Sequence, residues 1–205
     1  MQEIREKILQ TRAFQKKVVQ TVLSFLARGL RICRRLDPLV QVEFDAMPED
    51  FVLVMGVLGA RHPIILQNRS TGLYRVRESF AAVCNRIPLA PPSVARHFSA
   101  GTTDPSRMLE IRFKSVEAGW RMITGQISIA QAYARHDLMI HGEIARAMQF
   151  VRCIERVEAY LLPKRMARRL RLLQEQLPNP RWRIWLQLLY AKKEEYTLQD
   201  GKEVL

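Results

Sequence analysis

Few side chains in this sequence are spaced for chemistry. The four histidines are His62, His97, His136 and His141, and no two stand four residues apart as a helical metal site requires. His136 and His141 fall across a predicted helix-to-strand boundary, so His141 is expected at a strand end with its ring satisfied locally. The three cysteines, Cys33, Cys84 and Cys153, are far apart, odd in number and never in a C-x-x-C pair. That spacing speaks against a disulfide framework and against zinc or redox chemistry. Glu155 and Glu158 lie about one helical turn apart, and paired carboxylates can exchange protons in catalysis. With Arg152 and Arg156 between and beside them, they are expected instead to solvate a helix face. G-x-S-x-G, G-x-x-x-x-G-K-[ST] and G-x-G-x-x-G are all missing, so acyl transfer and nucleotide binding lack their usual entry points. The expectation is a protein that is not an enzyme and needs no metal or cofactor.

With chemistry set aside, composition points to binding. The chain has 205 residues, 48% hydrophobic and 26% charged, which suits one globular core with added elements. Its formal net charge of +13 favours an anionic partner such as lipid headgroups, nucleic acid or an acidic protein face. The opening MQEIREKILQ has no continuous apolar run, and no apolar stretch approaches the length of a membrane span. A cytoplasmic location, peripheral to a membrane surface, is the expectation.

The elements follow from periodicity. Ile4, Ile8, Phe14, Val18, Val22, Phe25, Leu26, Leu30 and Cys33 recur at helical steps from residue 3 to about 35, and Asp37-Pro38 closes that helix. Its other face carries Arg12, Lys16, Lys17, Arg28, Arg31, Arg34 and Arg35. Such a helix packs on its own domain or a second subunit, or it lies on an anionic membrane. Leu39 to Phe44 is expected as an edge strand or a lead-in. Phe51–Val57, Pro63–Asn68 and Leu73–Glu78 form a three-stranded antiparallel meander, the first strand apolar throughout as if covered on both faces. Ala60-Arg61-His62-Pro63 supplies the first turn. Residues 80–107, with Pro88, Pro91, Pro92 and Pro105, form a long connection of the kind used as a lid or partner-binding element. Beyond Leu162-Pro163, Met166, Leu170, Leu173 and Leu177 make a helical stripe among Lys164, Arg165, Arg168, Arg169 and Arg171. Pro178-Asn179-Pro180 breaks that helix. A last helix carries Trp182, Trp185, Leu186 and Leu189 on one side.

Residues 108–151 are the most specific stretch. Leu109, Ile111 and Phe113 alternate with Glu110, Arg112 and Lys114 in a strand. A helix-period run then stops at Thr124-Gly125, a short helix spans Ser128–Arg135, and Leu138–Ile140 is a strand ending at His141-Gly142-Glu143. A third helix follows with Ala145, Met148, Val151 and Cys153-Ile154 on one side. Gly142 fits a close approach or a positive φ. This order, with Thr124-Gly125, Ala132, Ala134 and His141-Gly142-Glu143 in place, resembles the carboxy-terminal half of the sterol carrier protein-2 (SCP-2) domain, a lipid-binding family. The resemblance covers roughly residues 48–160. It implies an α+β fold with a five-stranded, mostly antiparallel sheet covered by helices, to which this chain adds N-terminal and C-terminal helices. The implied organisation is an amphipathic helix over 1–36, a lipid-binding domain over 37–162 with 80–107 as an inserted loop, and a basic helical extension over 163–205.

The resemblance also implies a hydrophobic cavity between sheet and helices, its wall including Phe113, Trp120, Ile123, Tyr133, Ile140, Met148 and Val151. Met55, Met108, Met122, Met139, Met148 and Met166 could soften such an interior, or simply fill gaps in a core. Tyr133, Arg135 and Arg146 are candidates for polar groups at its mouth. The implied ligand is hydrophobic: an acyl chain, a sterol-like molecule or an isoprenoid or quinone-like lipid, as in accessory factors of bacterial ubiquinone synthesis. The competing reading is a structural or regulatory module with an empty core, whose terminal helices make a homodimer or grip a protein partner. Nucleic-acid binding through the basic stretch of residues 164–183 rests on charge alone and is the weakest reading.

Overall fold

The computed structural model describes residues 2–58, 62–87, 104, 106–162 and 177–190. The Ala60-Arg61 turn, the prolines of the 88–105 segment, the 163–176 basic stripe and the chain after 190 lie outside the described residues.

Helix α1 runs from Gln2 to Leu36, as its apolar spacing predicts. Its inner face is Val19, Leu23, Leu26, Ala27, Leu30 and Cys33, all buried. The helix ends where Pro38 forces the preceding residue out of the helical region: Asp37 is extended at φ −104°, ψ 113°. The stop is also a start. The Asp37 carboxylate accepts a hydrogen bond from Leu39 N–H at 3.0 Å, and Pro38 occupies the first turn of a second helix, α2 (Pro38–Asp45). The edge strand or lead-in expected over Leu39–Phe44 is therefore a helix. Its buried positions are Val40 and Phe44, one helical turn apart, which a strand would have placed on one face only by burying Val42 as well.

Five strands follow: β1 (Val52–Val57), β2 (Ile64–Arg69), β3 (Gly72–Val76), β4 (Met108–Phe113) and β5 (Leu138–His141). Their order in the sheet is β3-β2-β1-β4-β5. The β1, β2 and β3 pairings are antiparallel, as is β4 with β5, while β1 and β4 run parallel with Val52 opposite Met108 and Val57 opposite Phe113. Between them lie helix α3 (Phe80–Arg86), which occupies the start of the expected 80–107 loop, and helices α4 (Val116–Ile123) and α5 (Ile129–Ala134). Helix α6 (Ile144–Leu161) and helix α7 (Arg181–Tyr190) complete seven helices among the described residues. The fold is α+β, with one mixed open sheet and helices at both ends of the chain.

The sheet separates two apolar layers. Leu53, Met55, Val57, Ile64, Leu66, Leu109, Ile111, Phe113 and Leu138 face the larger one, shared with α1, α2, α4, α5, α6 and α7. Val52, Val54, Ile65, Val76 and Met108 face a smaller one with Val83 of α3. Central position and two covered faces explain why β1 is apolar at every residue.

Two features hold the helical layer in register. Helices α1 and α6 cross closely at Gly29, where a Cβ would stand 2.9 Å from Val157 Cγ1 and 3.0 Å from Leu161 Cδ1. At the α1–α2 junction the fully buried Asp37 carboxylate accepts from Arg156 Nε and from the Tyr160 hydroxyl of α6, both at 2.7 Å. This charge is therefore paired and hydrogen-bonded, the condition under which burial is tolerated. Burial and the Asp37 hydrogen bond together push the Tyr160 phenol well above its ordinary range.

Candidate functional site: an apolar corner beside the sheet edge

The segment from β4 to α6 turns on short polar signals. Ser115 caps α4 by accepting from Ala118 N–H at 3.0 Å. Ser128 and Gln131 form a reciprocal capping box on α5, with Ser128 N–H donating to Gln131 Oε1 at 3.0 Å. Gly142 takes φ +137°, and a Cβ there would stand 2.7 Å from the Met108 carbonyl oxygen. Only glycine lets the chain leave β5 so close to β4 and enter α6 at once.

These turns bring α4, α5, β5 and the start of α6 together at the β5 edge. Phe113 is buried on the helix-facing side of the sheet. Trp120, Ile123, Ile140 and Val151 are half-buried and pack against the same core. Tyr133 and Met148 are not in the core: both are exposed by half, at 52% and 51%. Ile144, which the sequence did not single out, is 74% exposed one turn before Met148. Ile144, Met148 and Val151 share one face of α6 at steps of four and three. The seven expected wall residues thus run from a buried end at Phe113, through a half-buried belt, to an exposed rim at Tyr133 and Met148.

Two expectations about α6 need correction. Its inward face is Ala147, Phe150, Cys153, Ile154 and Val157, whereas Ala145 is exposed and Met148 stands at the rim. Nor do Glu155 and Glu158 sit on a solvated face with the neighbouring arginines. Arg152 makes a two-point contact with Glu43 of α2, at 2.5 and 2.9 Å, and holds that carboxyl below its ordinary range. Arg156 is taken by Asp37. Glu158 is left 6% exposed, and among the described residues no hydrogen bond or ion pair reaches its carboxyl. Burial, aided by the charge of Glu155, pushes that carboxyl up to about 7. Glu158 continues the Ala147–Val151–Ile154 ridge at helical steps, two turns beyond the half-buried Val151.

The polar groups expected at a mouth are only partly there. Tyr133 stands at the rim. Arg135, on an exposed turn, lies 3.7 Å from Oδ2 of the half-buried Asp137. Arg146 is drawn away toward α2, donating to the Ala46 carbonyl at 2.8 Å and to Gln149 Oε1 at 3.0 Å. Of the methionines, Met55, Met108 and Met122 are buried, Met139 is half-buried, and Met166 lies outside the described residues. Cys33 and Cys153 are buried, and burial pushes both thiols up to about 12, so they behave as small apolar side chains. Among the described residues no group of three or more His, Cys, Asp or Glu side chains is placed to hold a metal ion, and no helix is long and apolar enough to cross a membrane.

Comparison of the chain with protein-family models, with curated proteins and with solved structures finds no match to any of them.

Proposed function

We propose that this chain is a non-enzymatic lipid-binding or lipid-carrier protein of SCP-2 type, working in the cytoplasm at the surface of an anionic membrane. Its ligand is hydrophobic: an acyl chain, a sterol-like molecule, or an isoprenoid or quinone-like tail. The observation that supports this is the graded burial at the β5 corner, where an exposed apolar rim leads through half-buried side chains to the helix-facing core. An aliphatic tail entering past Tyr133 and Met148 would exchange water for Ile140, Val151, Trp120 and Ile123. Each methylene so buried contributes about 0.8 kcal/mol, so a long tail gains affinity without a specific polar contact. Selectivity would then come from depth and from a few polar groups, of which the buried Glu158 is the strongest candidate.

Native mass spectrometry after gentle extraction tests this reading. A carrier carries added lipid mass, and replacing the rim with Tyr133→Glu and Met148→Glu lowers that occupancy while leaving the melting temperature in place. A clean apo mass in several independent preparations would sink the proposal and leave the competing one, a structural or regulatory partner-binding module whose core holds no ligand.

A further inference from the structure

Helix α7 presents a second apolar surface, remote in sequence from the β5 corner. The helix is firmly seated. Ile184 and Leu188, one turn apart, are essentially fully buried in the main core. Asn179 Nδ2 donates to the Leu36 carbonyl at the end of α1 at 2.6 Å, and Arg181 donates to the Ala159 carbonyl of α6. Trp185 meets Phe25 of α1 at 5.6 Å between ring centres. With that inner pair fixed, the rest of the helix has no choice of direction. Trp182, Trp185, Leu186 and Leu189 share an arc of about 100°, with Trp185 at its inner edge against Phe25 and the other three turned outward. Trp182 and Leu189 are 64% and 70% exposed. The sequence expectation of one apolar side made of these four residues is met as a pattern, but the side points outward, and the inward one is Ile184 and Leu188.

We infer that this outward arc of α7 is an in-plane docking surface for an anionic lipid bilayer. Three observations favour a bilayer over other occupants. The arc combines indole rings with leucines, and Tyr190 borders it at 80% exposure, the mixture that settles at the boundary between headgroups and acyl chains. The charge is complementary: α7 contains no acidic residue, exposed Arg183 flanks the arc, and the whole chain carries +13. Finally, a second copy fits poorly. A two-fold dimer through this face would bring two Arg183 side chains into one interface with no carboxylate on α7 to pair either. The inference rests on the membrane-surface part of the proposed function and is independent of the β5 corner.

Flotation of the full chain with phosphatidylcholine vesicles, with and without phosphatidylserine, tests it. Wild type should float with the anionic vesicles at low salt, lose part of that binding as salt rises, and stay behind with neutral ones. Trp182 and Leu189 are mostly exposed, so Trp182→Ser and Leu189→Ser should both fold with unchanged circular dichroism. Each should weaken partition about tenfold, the fold-change expected when one large apolar side chain no longer leaves water. Val42→Ser on α2, an equally exposed apolar position outside both the β5 corner and α7, should float like wild type. Equal flotation of both α7 variants with wild type, or loss confined to Val42→Ser, overturns the inference. So does a concentration-dependent dimer in sedimentation that the α7 variants abolish. Lipid mass retained in the α7 variants by native mass spectrometry separates loss of docking from loss of cargo.

Discussion

Replacing Glu158 by glutamine should make the protein more stable in alkaline solution and leave it unchanged in acid. In the folded chain the Glu158 carboxyl is pushed from 4.5 up to about 7, chiefly by burial and secondarily by Glu155. Below pH 4.5 folded and unfolded chains both hold the proton, and the group has no effect. Between 4.5 and 7 the folded chain keeps a proton that the unfolded chain releases, so stability falls as pH rises; above about 7 the loss is complete. At about 1.4 kcal/mol for each pH unit, the interval amounts to about 3 kcal/mol. Glutamine has nearly the same volume and no charge to bury, so Glu158→Gln removes this slope. Urea unfolding at closely spaced values between pH 4 and pH 9 would show two curves that coincide at the acid end and separate by about 3 kcal/mol above pH 8. For a chain of this size that separation corresponds to about 6–12 °C in melting temperature. Taking the difference between variant and wild type cancels every other titrating group, Glu155 included to first order. Curves that run parallel throughout would refute the reasoning, because they would mean that Glu158 is solvated or paired.

Further outcomes follow from the same structure. Asp37→Ala removes the cap of α2 and leaves Arg156 and Tyr160 facing a buried gap, so equilibrium unfolding should show a loss of about 3–5 kcal/mol; a loss below about 1 kcal/mol would mean the network is solvated. Gly142→Ala forces a left-handed φ on a residue with a Cβ and drives that atom into the Met108 carbonyl, which should cost about 2–3 kcal/mol in the same assay. An aromatic disulfide reagent at pH 8 should titrate Cys84 in the folded protein and reach Cys33 and Cys153 only after denaturant is added, because those two thiols are buried and raised to about 12. Rapid labelling of three thiols in the native protein would contradict that placement.

Much of this architecture is legible in the residues because local pattern and global burial agree. The alternation in β4 admits one orientation, and the structure adopts it; the three-and-four spacing in α1 gives the helix but not its whole inner face, since Phe14 of that stripe is 61% exposed while Val19, Leu23 and Ala27 turn inward. Failures occur where two patterns compete. Leu39–Phe44 alternates and is rich in β-branched and aromatic residues, so it looks like a strand. What decides for helix is Asp37-Pro38, a pair that ends α1 and is equally a helix start. In α7 both arcs are apolar, so periodicity identifies a helix without saying which arc turns inward. The Glu158 environment is invisible for a different reason. Arg152 and Arg156 are the nearest cations along the chain, yet Glu43 and Asp37 of a helix more than a hundred residues away claim them. The candidate lipid wall follows from resemblance rather than pattern; five of its side chains pack on the core, while Tyr133 and Met148 stand at its rim.

The parallel contact between β1 and β4 sets the order in which the protein can be made. As the chain leaves the ribosome, β1, β2 and β3 can pair at once through their short connections, but β1's other side must wait for about fifty more residues of synthesis. During that interval an apolar strand meant for the middle of a sheet is an open edge, able to recruit the same strand from a neighbouring nascent chain. Truncations ending before residue 107 should therefore aggregate, and those that extend through β5 and α6 should do so far less. Ultracentrifugation of the released fragments would settle whether the vulnerable period begins and ends there.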